Sequence, residues 1–289
     1  MSITVGSAAH RDLLCNVFLS THLAYEPESL PWPRLEQKHL DLLRSFPFWA
    51  FALSLEQEAG RMITLFAETI DDPLVRRAIE LQAYEETRHG RLIKHMLSHY
   101  GVEITTVPVS SKPVERDDFV TFGFGECTDS FIGFTGFALA REKGVFPPAL
   151  LDIFEQLLFE EARHIVFFLN WWRYEEARAG RTNPFTRAIR AIRYQVAAIL
   201  HTSQGAAGSQ TTTNLDLTGG GSAEILAGVT PKHFLEIGLR ENRAMLARLD
   251  RRLLRPRLIP RIATIALLAL RMLPPLPVKE KVPAARLVA

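Results

Sequence analysis

Cysteine is nearly absent from this 289-residue chain, which has only Cys15 and Cys127 and no Cys-x-x-Cys. That excludes a disulfide framework and thiolate-held zinc or iron–sulfur sites, and makes a reducing cytoplasmic setting the default. Long apolar runs are lacking too. The nearest is Ile262 to Leu270, bounded by Arg261 and Arg271. It falls short of the ~18 residues of a membrane span and reads as a core helix or an interfacial one. Met1 to Leu30 lacks the basic-then-apolar order of a signal peptide. Strand patterns, meaning period-2 alternation bounded by turn pairs, are scarce.

What is present suits a folded helical protein. The apolar fraction is 47% and the charged fraction 23%, enough to bury a sizeable core. The net charge of +2 is unevenly placed: residues 231–289 hold 13 Lys/Arg and 4 Asp/Glu, a local +9, which leaves 2 − 9 = −7 for the first 230. A basic tail can meet an anionic membrane or an acidic carrier protein, and its default reading is a solvated helix face.

The periodicity predicts an all-α fold. Phe48 to Ile70 carries an apolar stripe of Ala52, Leu55, Ala59, Met62 and Phe66. Asp72 and Pro73 suit the start of a helix that runs to Tyr100 and stops at Gly101. After an irregular connection, Val102 to Pro113, the plan repeats: a helix over Asp118–Glu142, then another from Pro147-Pro148 to Ala179 and Gly180. Asn183–Ser203 and Pro231–Leu254 read as further helices, the stretch around 205–222 as a Gly/Ser/Thr-rich flexible loop, and the end from Pro274 as extended. The expected division is an N-terminal helical segment at 1–45, a helical bundle at 46–204, the loop at 205–222, and basic C-terminal helices at 223–289 that pack on or extend the bundle.

Within the repeated hairpins one pentapeptide occurs twice. Glu85-Glu86-Thr87-Arg88-His89 and Glu160-Glu161-Ala162-Arg163-His164 lie 75 residues apart (161 − 86). Residues i and i+3 of a helix share a face, so each copy offers a carboxylate and an imidazole to a metal, and two facing copies can hold a metal pair. A lone Glu upstream of each completes such a set. Glu126, among phenylalanines in the second hairpin, is one. In the first hairpin Glu56 is favoured over Glu58, because Ala59 and Gly60 leave space one turn on. A third Glu-x-x-His, Glu36 to His39, reads as a solvated pair on an N-terminal helix.

The doubled Glu-Glu-x-Arg-His with its upstream carboxylates resembles the ferritin-like di-iron carboxylate superfamily over about Phe48 to Trp172. The resemblance implies a ferritin-like four-helix bundle with additional N- and C-terminal helices. It implies Glu86 and Glu161 as bridging ligands, His89 and His164 as imidazole ligands, and Glu126 and Glu56 as terminal carboxylates. Glu85, Arg88, Glu160 and Arg163 would orient these ligands by hydrogen bonds. Some relatives add a histidine, for which His201 and His233 are available. The implied cofactor is two Fe, with Mn/Fe or Mn/Mn as alternatives, and O₂ is the co-substrate.

The implied activity is oxidation of an apolar or amphipathic small molecule: hydroxylation, N-oxygenation, desaturation or oxidative cleavage. Iron handling or peroxide scavenging is the alternative. Phe122, Phe124, Phe131, Phe134 and Phe137 surround Glu126, and Gly133 and Gly136 can open a pocket or allow close helix approach. Asp129 is the candidate proton donor, with a salt bridge to Arg141 as its structural rival. Cys127 reads as a small core residue. An electron donor and a second copy of the chain are the expected partners, and no nucleic acid is.

Overall fold

The computed structural model describes residues 3–46, 49–104, 110–208 and 221–272, with the side chains of 201–208 and 221–223 outside the description. Residues 209–220 of the Gly/Ser/Thr-rich stretch, the tail beyond Met272 and the His201 side chain therefore lie outside the described residues, whereas the two ends of the expected loop, 205–208 and 221–222, are helical. Those described form ten α-helices and one 3₁₀ turn, with no strand among them. The helices are α1 (Ala8–Ser20), α2 (Gln37–Ser45), α3 (Trp49–Glu68), α4 (Pro73–His99), α5 (Arg116–Lys143), α6 (Pro148–Arg178), α7 (Pro184–Gly208), α8 (Gly221–Leu226), α9 (Pro231–Ala247) and α10 (Leu258–Met272), and the 3₁₀ turn is Pro27–Ser29.

Local chemistry sets the hairpin ends. The Asp72 carboxylate accepts from the Leu74 and Val75 N–H groups, and Pro73 occupies the first turn of α4. Gly101 at φ +61° closes α4, and Val102 N–H donates to Leu97 O at 2.8 Å. Glu115 and Asp118 form a reciprocal capping box on α5, which ends at Gly144, also at φ +61°.

Two antiparallel hairpins result, α3 with α4 and α5 with α6, and they meet through α3 with α5 and α4 with α6. Helix α1 lies on α4 and α6, α7 and α9 both pack on α5, and α10 packs mainly on α9. Phe66 stacks on Phe119 with ring centroids 4.2 Å apart, and Trp171 meets both edge-on. Each such ring contributes roughly 1.5–3 kcal/mol through burial.

Several expectations are corrected. Gly60 leaves no space: a Cβ there would come within 2.6 Å of Thr87 Oγ1, so this glycine lets α3 approach α4 closely. Gly123 does the same for Phe168, whose ring would be 2.2 Å from a Cβ. Gly136 has nothing within 4 Å and Gly133 meets only Leu158, so these two open space. Helix α9 stops at Ala247, seven residues before the expected Leu254 (254 − 247). There Asn170 exchanges two hydrogen bonds with the Leu254 backbone, and Arg255 donates to the carbonyls of Leu249, Asp250 and Leu253, which holds the chain in a turn. Glu36 is the N-cap of α2 and pairs with Lys38, while half-buried His39 faces Phe146.

Candidate metal centre

The two pentapeptides face one another across α4 and α6. His89 and His164 are both 0% exposed, and their ring centroids are 5.6 Å apart. Glu86, His89, Glu161 and His164 each offer a ligand atom within 4.8 Å of the others. Glu161 Oε1 is 2.9 Å from His89 Nδ1, and its Oε2 is 3.6 Å from His164 Nδ1. Glu86 mirrors this, with Oε1 2.9 Å from His164 Nδ1 and Oε2 3.6 Å from His89 Nδ1. Each carboxylate thus turns one oxygen to each imidazole.

The upstream carboxylates separate cleanly. Glu56 Oε2 stands 3.5 Å from His89 Nδ1. Glu58 faces elsewhere, pairing with Arg61 and accepting from the Ser110 N–H at 3.0 Å. Glu126 lies close enough to Glu161 and Glu86 to feel both charges. His233 pairs with Glu142 at the surface and takes no part in the cluster.

An outer layer holds the imidazoles in place, and its wiring crosses between the motifs. His89 Nε2 is 3.0 Å from Glu160 Oε2, and His164 Nε2 is 2.8 Å from Glu85 Oε2. Arg88 donates to Glu160, and Arg163 donates to both oxygens of Glu85 at 2.8 and 2.9 Å. Every member of this layer is at most 2% exposed. A ring whose Nε2–H is committed to a carboxylate presents its Nδ1 lone pair inward.

The N-terminal segment seals that layer, and this was not foreseen. Tyr25 OH donates to Glu160 Oε2 at 3.0 Å, and the Arg88 guanidinium lies 3.9 Å over the Tyr25 ring. His22 Nδ1 is 2.6 Å from Glu85 Oε1. Arg163 donates to Thr21 Oγ1 and Phe18 O, and Arg88 to the carbonyls of Leu23 and Tyr25. Inside, Gln82 reaches Glu86 Oε1 at 3.5 Å. None of these residues sits in a motif, and only the orphaned polarity of a His and a Tyr beside an apolar helix marks them.

Electrostatics divide the two layers. Burial opposes ionisation of Glu85, but His164, Arg163 and His22 outweigh it and bring its pKa down to about 2. The inner carboxylates Glu56, Glu86, Glu126 and Glu161 have no Arg or Lys partner among the described residues. Burial, opposed by His89 and reinforced by Glu161 and Glu86, pushes Glu56 up to about 8. Burial and the charges of Glu161 and Glu86 hold Glu126 well above the usual range. Both histidines rise well above their ordinary value, because the surrounding carboxylates overcome burial. Four carboxylates carry −4 when ionised, which two divalent ions would cancel. His89 Nδ1, His164 Nδ1 and Glu161 Oε2 are buried without a directed hydrogen bond. Oxygen and imidazole donors of this kind suit iron or manganese.

Asp129 is exposed, and partial burial of its carboxyl, with the charge of Glu161, raises it to about 6. Arg141, its anticipated partner, is taken by Asp152 and Glu155. Cys127 is a buried thiol donating to Gly123 O, with its pKa pushed up to about 12 by burial. Phe119, Phe124, Phe131 and Phe134 are core, whereas Phe122 and Phe137 are half-buried. A recess of about 360 Å³ beside α3 and α4 is lined by Gln57, Arg61, Thr87, Gly90, Arg91 and Lys94, not by phenylalanine. Compared with protein-family models, curated proteins and solved structures, the chain matches none.

Proposed function

We propose that α3 to α6 form a ferritin-like four-helix bundle that holds two iron ions and oxidises an apolar or amphipathic small molecule with O₂. One observation carries the reading: Glu86 and Glu161 each turn one oxygen to His89 Nδ1 and the other to His164 Nδ1. Glu86 and Glu161 would then each serve both ions, with His89 and His164 as their imidazole ligands. Glu56 and Glu126 would be the terminal ligands. In its reduced form such a metal pair supplies two electrons to dioxygen.

The chain's own residues do the rest. Glu85 and Glu160 fix the imidazole tautomers, while Arg88 and Arg163 neutralise them and close the α4–α6 side against water. Access is from the α3–α5 side. The Glu56 side chain is 19% exposed there, and Glu126 is half-buried. Phe51, Leu55 and Phe122 offer apolar surface on the same two helices, which suits a greasy substrate. Asp129, whose carboxyl is raised to about 6 and so keeps its proton closer to neutral pH than an ordinary aspartate, is the proton donor.

The test is metal stoichiometry after expression with iron, followed by rapid mixing of the ferrous protein with O₂. Two tightly bound ions per chain and an O₂-dependent optical transient are expected. Fewer than one bound ion per chain would sink the proposal. A closed multi-chain shell that mineralises iron would replace it with iron handling.

A further inference from the structure

Helix α10 turns an apolar side to solvent. Only Ala263 and Leu267 are buried, while Ile262, Ile265, Leu268 and Met272 are 52%, 68%, 52% and 81% exposed. The helix was open to a core or an interfacial reading, and this exposure removes the first. Residues 258–272 contain no acid and two arginines, Arg261 and Arg271. Just upstream the chain is basic. Asp250 and Glu236 engage Arg252 and Arg271, but Arg251, Arg257 and Arg261 are exposed and make no ion pair among the described residues.

Helix α7, which packs on α5 as α10 does, repeats the design. Phe185, Ile189, Ile192, Val196 and Ile199 recur at three- and four-residue steps, each 45% exposed or more. Residues 184–208 carry three arginines and no acid. Exposed apolar surface on this scale marks a contact with something other than water.

The charge decides what the contact is. In a two-fold pairing of copies through this apolar surface, α10 would meet a copy of α10 or of α7. Arginine-only helices have no carboxylate to offer one another, so the cations would repel. An anionic lipid surface supplies the missing charge and a non-aqueous layer together. No described helix is long and apolar enough to cross a membrane, so the arrangement is one that lies in the interface. We infer that α10, with Arg251, Arg257 and Arg261 at its approach, docks this protein on an anionic lipid bilayer with Ile262, Ile265, Leu268 and Met272 set into the headgroup boundary.

The experiment is co-sedimentation of the full chain with vesicles of phosphatidylcholine alone or with added phosphatidylglycerol. Binding should require the anionic lipid and weaken with salt. Ile265→Asp with Met272→Asp should abolish it while far-UV CD and Tm stay at the parent values, because both side chains already face outward. Arg257→Ala with Arg261→Ala should lower partitioning roughly 30-fold at low salt. Equal sedimentation with both vesicle types, or anionic binding untouched by the two Asp substitutions, overturns the inference. So does a dimer that these substitutions split while no vesicle binds, which would make the face a contact between copies. Capture by an acidic protein without lipid binding overturns it too.

Discussion

The crossed wiring between the two pentapeptides can be tested without any metal. Arg88 is 1% exposed and Glu160 0%. Arg88→Met leaves Glu160 as a buried carboxylate held by Tyr25 OH, His89 Nε2 and, at 4.0 Å, the Arg163 guanidinium. Removing one partner of a buried ion pair costs about 3–5 kcal/mol. Part of that loss is unrelated to Glu160, because Arg88 also donates to the carbonyls of Leu23 and Tyr25. Those bonds vanish in either background, so they cancel in a double-mutant cycle with Glu160→Gln. What remains is the charged hydrogen bond itself, about 2 kcal/mol of coupling. The control cycle pairs Arg88→Met with Glu85→Gln, in the same pentapeptide but joined by no ion pair among the described residues; its coupling should stay below about 0.5 kcal/mol. Urea unfolding of the metal-free chain, followed by CD, measures both. Equal or reversed couplings would mean that each pentapeptide is self-contained, and the cross-helix geometry would be refuted.

The metal-free protein should lose stability as pH rises from roughly 5 to 8. Glu56, raised from 4.5 to about 8, and His89 and His164, both raised, hold protons that the unfolded chain releases; their stabilisation is complete below the unfolded values and gone above the folded ones. A Tm that is flat or rising over that window contradicts the assignment, and added metal should level the fall. Tyr25→Phe and His22→Ala should each weaken metal binding about 10–100-fold in a chelator competition, with unchanged helicity; an unaltered affinity would make the N-terminal seal mere packing. Gly123→Ala should destabilise by about 1–3 kcal/mol or more through its collision with Phe168, whereas Gly136→Ala should stabilise by up to ~1 kcal/mol, both read from urea midpoints. Asp129→Asn should remove the fall in rate that sets in as pH rises through about 6, while leaving metal content intact; an unchanged profile excludes it as proton donor.

The helical hairpins were legible because their stops are local chemistry: Asp72-Pro73, Gly101, Pro148 and Gly180 act within a turn of where they sit. The carboxylate–imidazole cluster was legible for the same reason, since Glu-x-x-His fixes a face before any tertiary contact forms. The errors lie where a residue's role depends on a neighbour distant in sequence. Gly60 reads as vacant space until α4 brings Thr87 against it. Arg141 reads as a partner for Asp129 until α6 supplies Asp152 and Glu155. Glu56 and Glu58 flank one stripe symmetrically, and only the position of Arg61 and of the Ser110 N–H draws Glu58 away. His22 and Tyr25 carry no pattern, because their function is set by which carboxylate the chain lays them against.

The charge plan separates a metal centre from an ordinary ion-paired core. A core built only for stability would intersperse its buried acids with guanidiniums. Here the guanidiniums are confined to the outer layer: Arg88 and Arg163 serve Glu160 and Glu85, and none reaches Glu56, Glu86, Glu126 or Glu161. Neutralising the outer acids lets them stay ionised when buried, and an ionised acceptor on each Nε2 keeps each Nδ1 free to accept a cation. The inner acids are left with protons on Glu56, Glu126 and the two imidazoles, an arrangement that weakens as the pH rises. Burying four acids in this way is costly unless something of charge near +4 arrives from outside. Two divalent ions would meet that demand, and a single one would leave half of the buried charge unanswered, so the charge count favours the proposed pair.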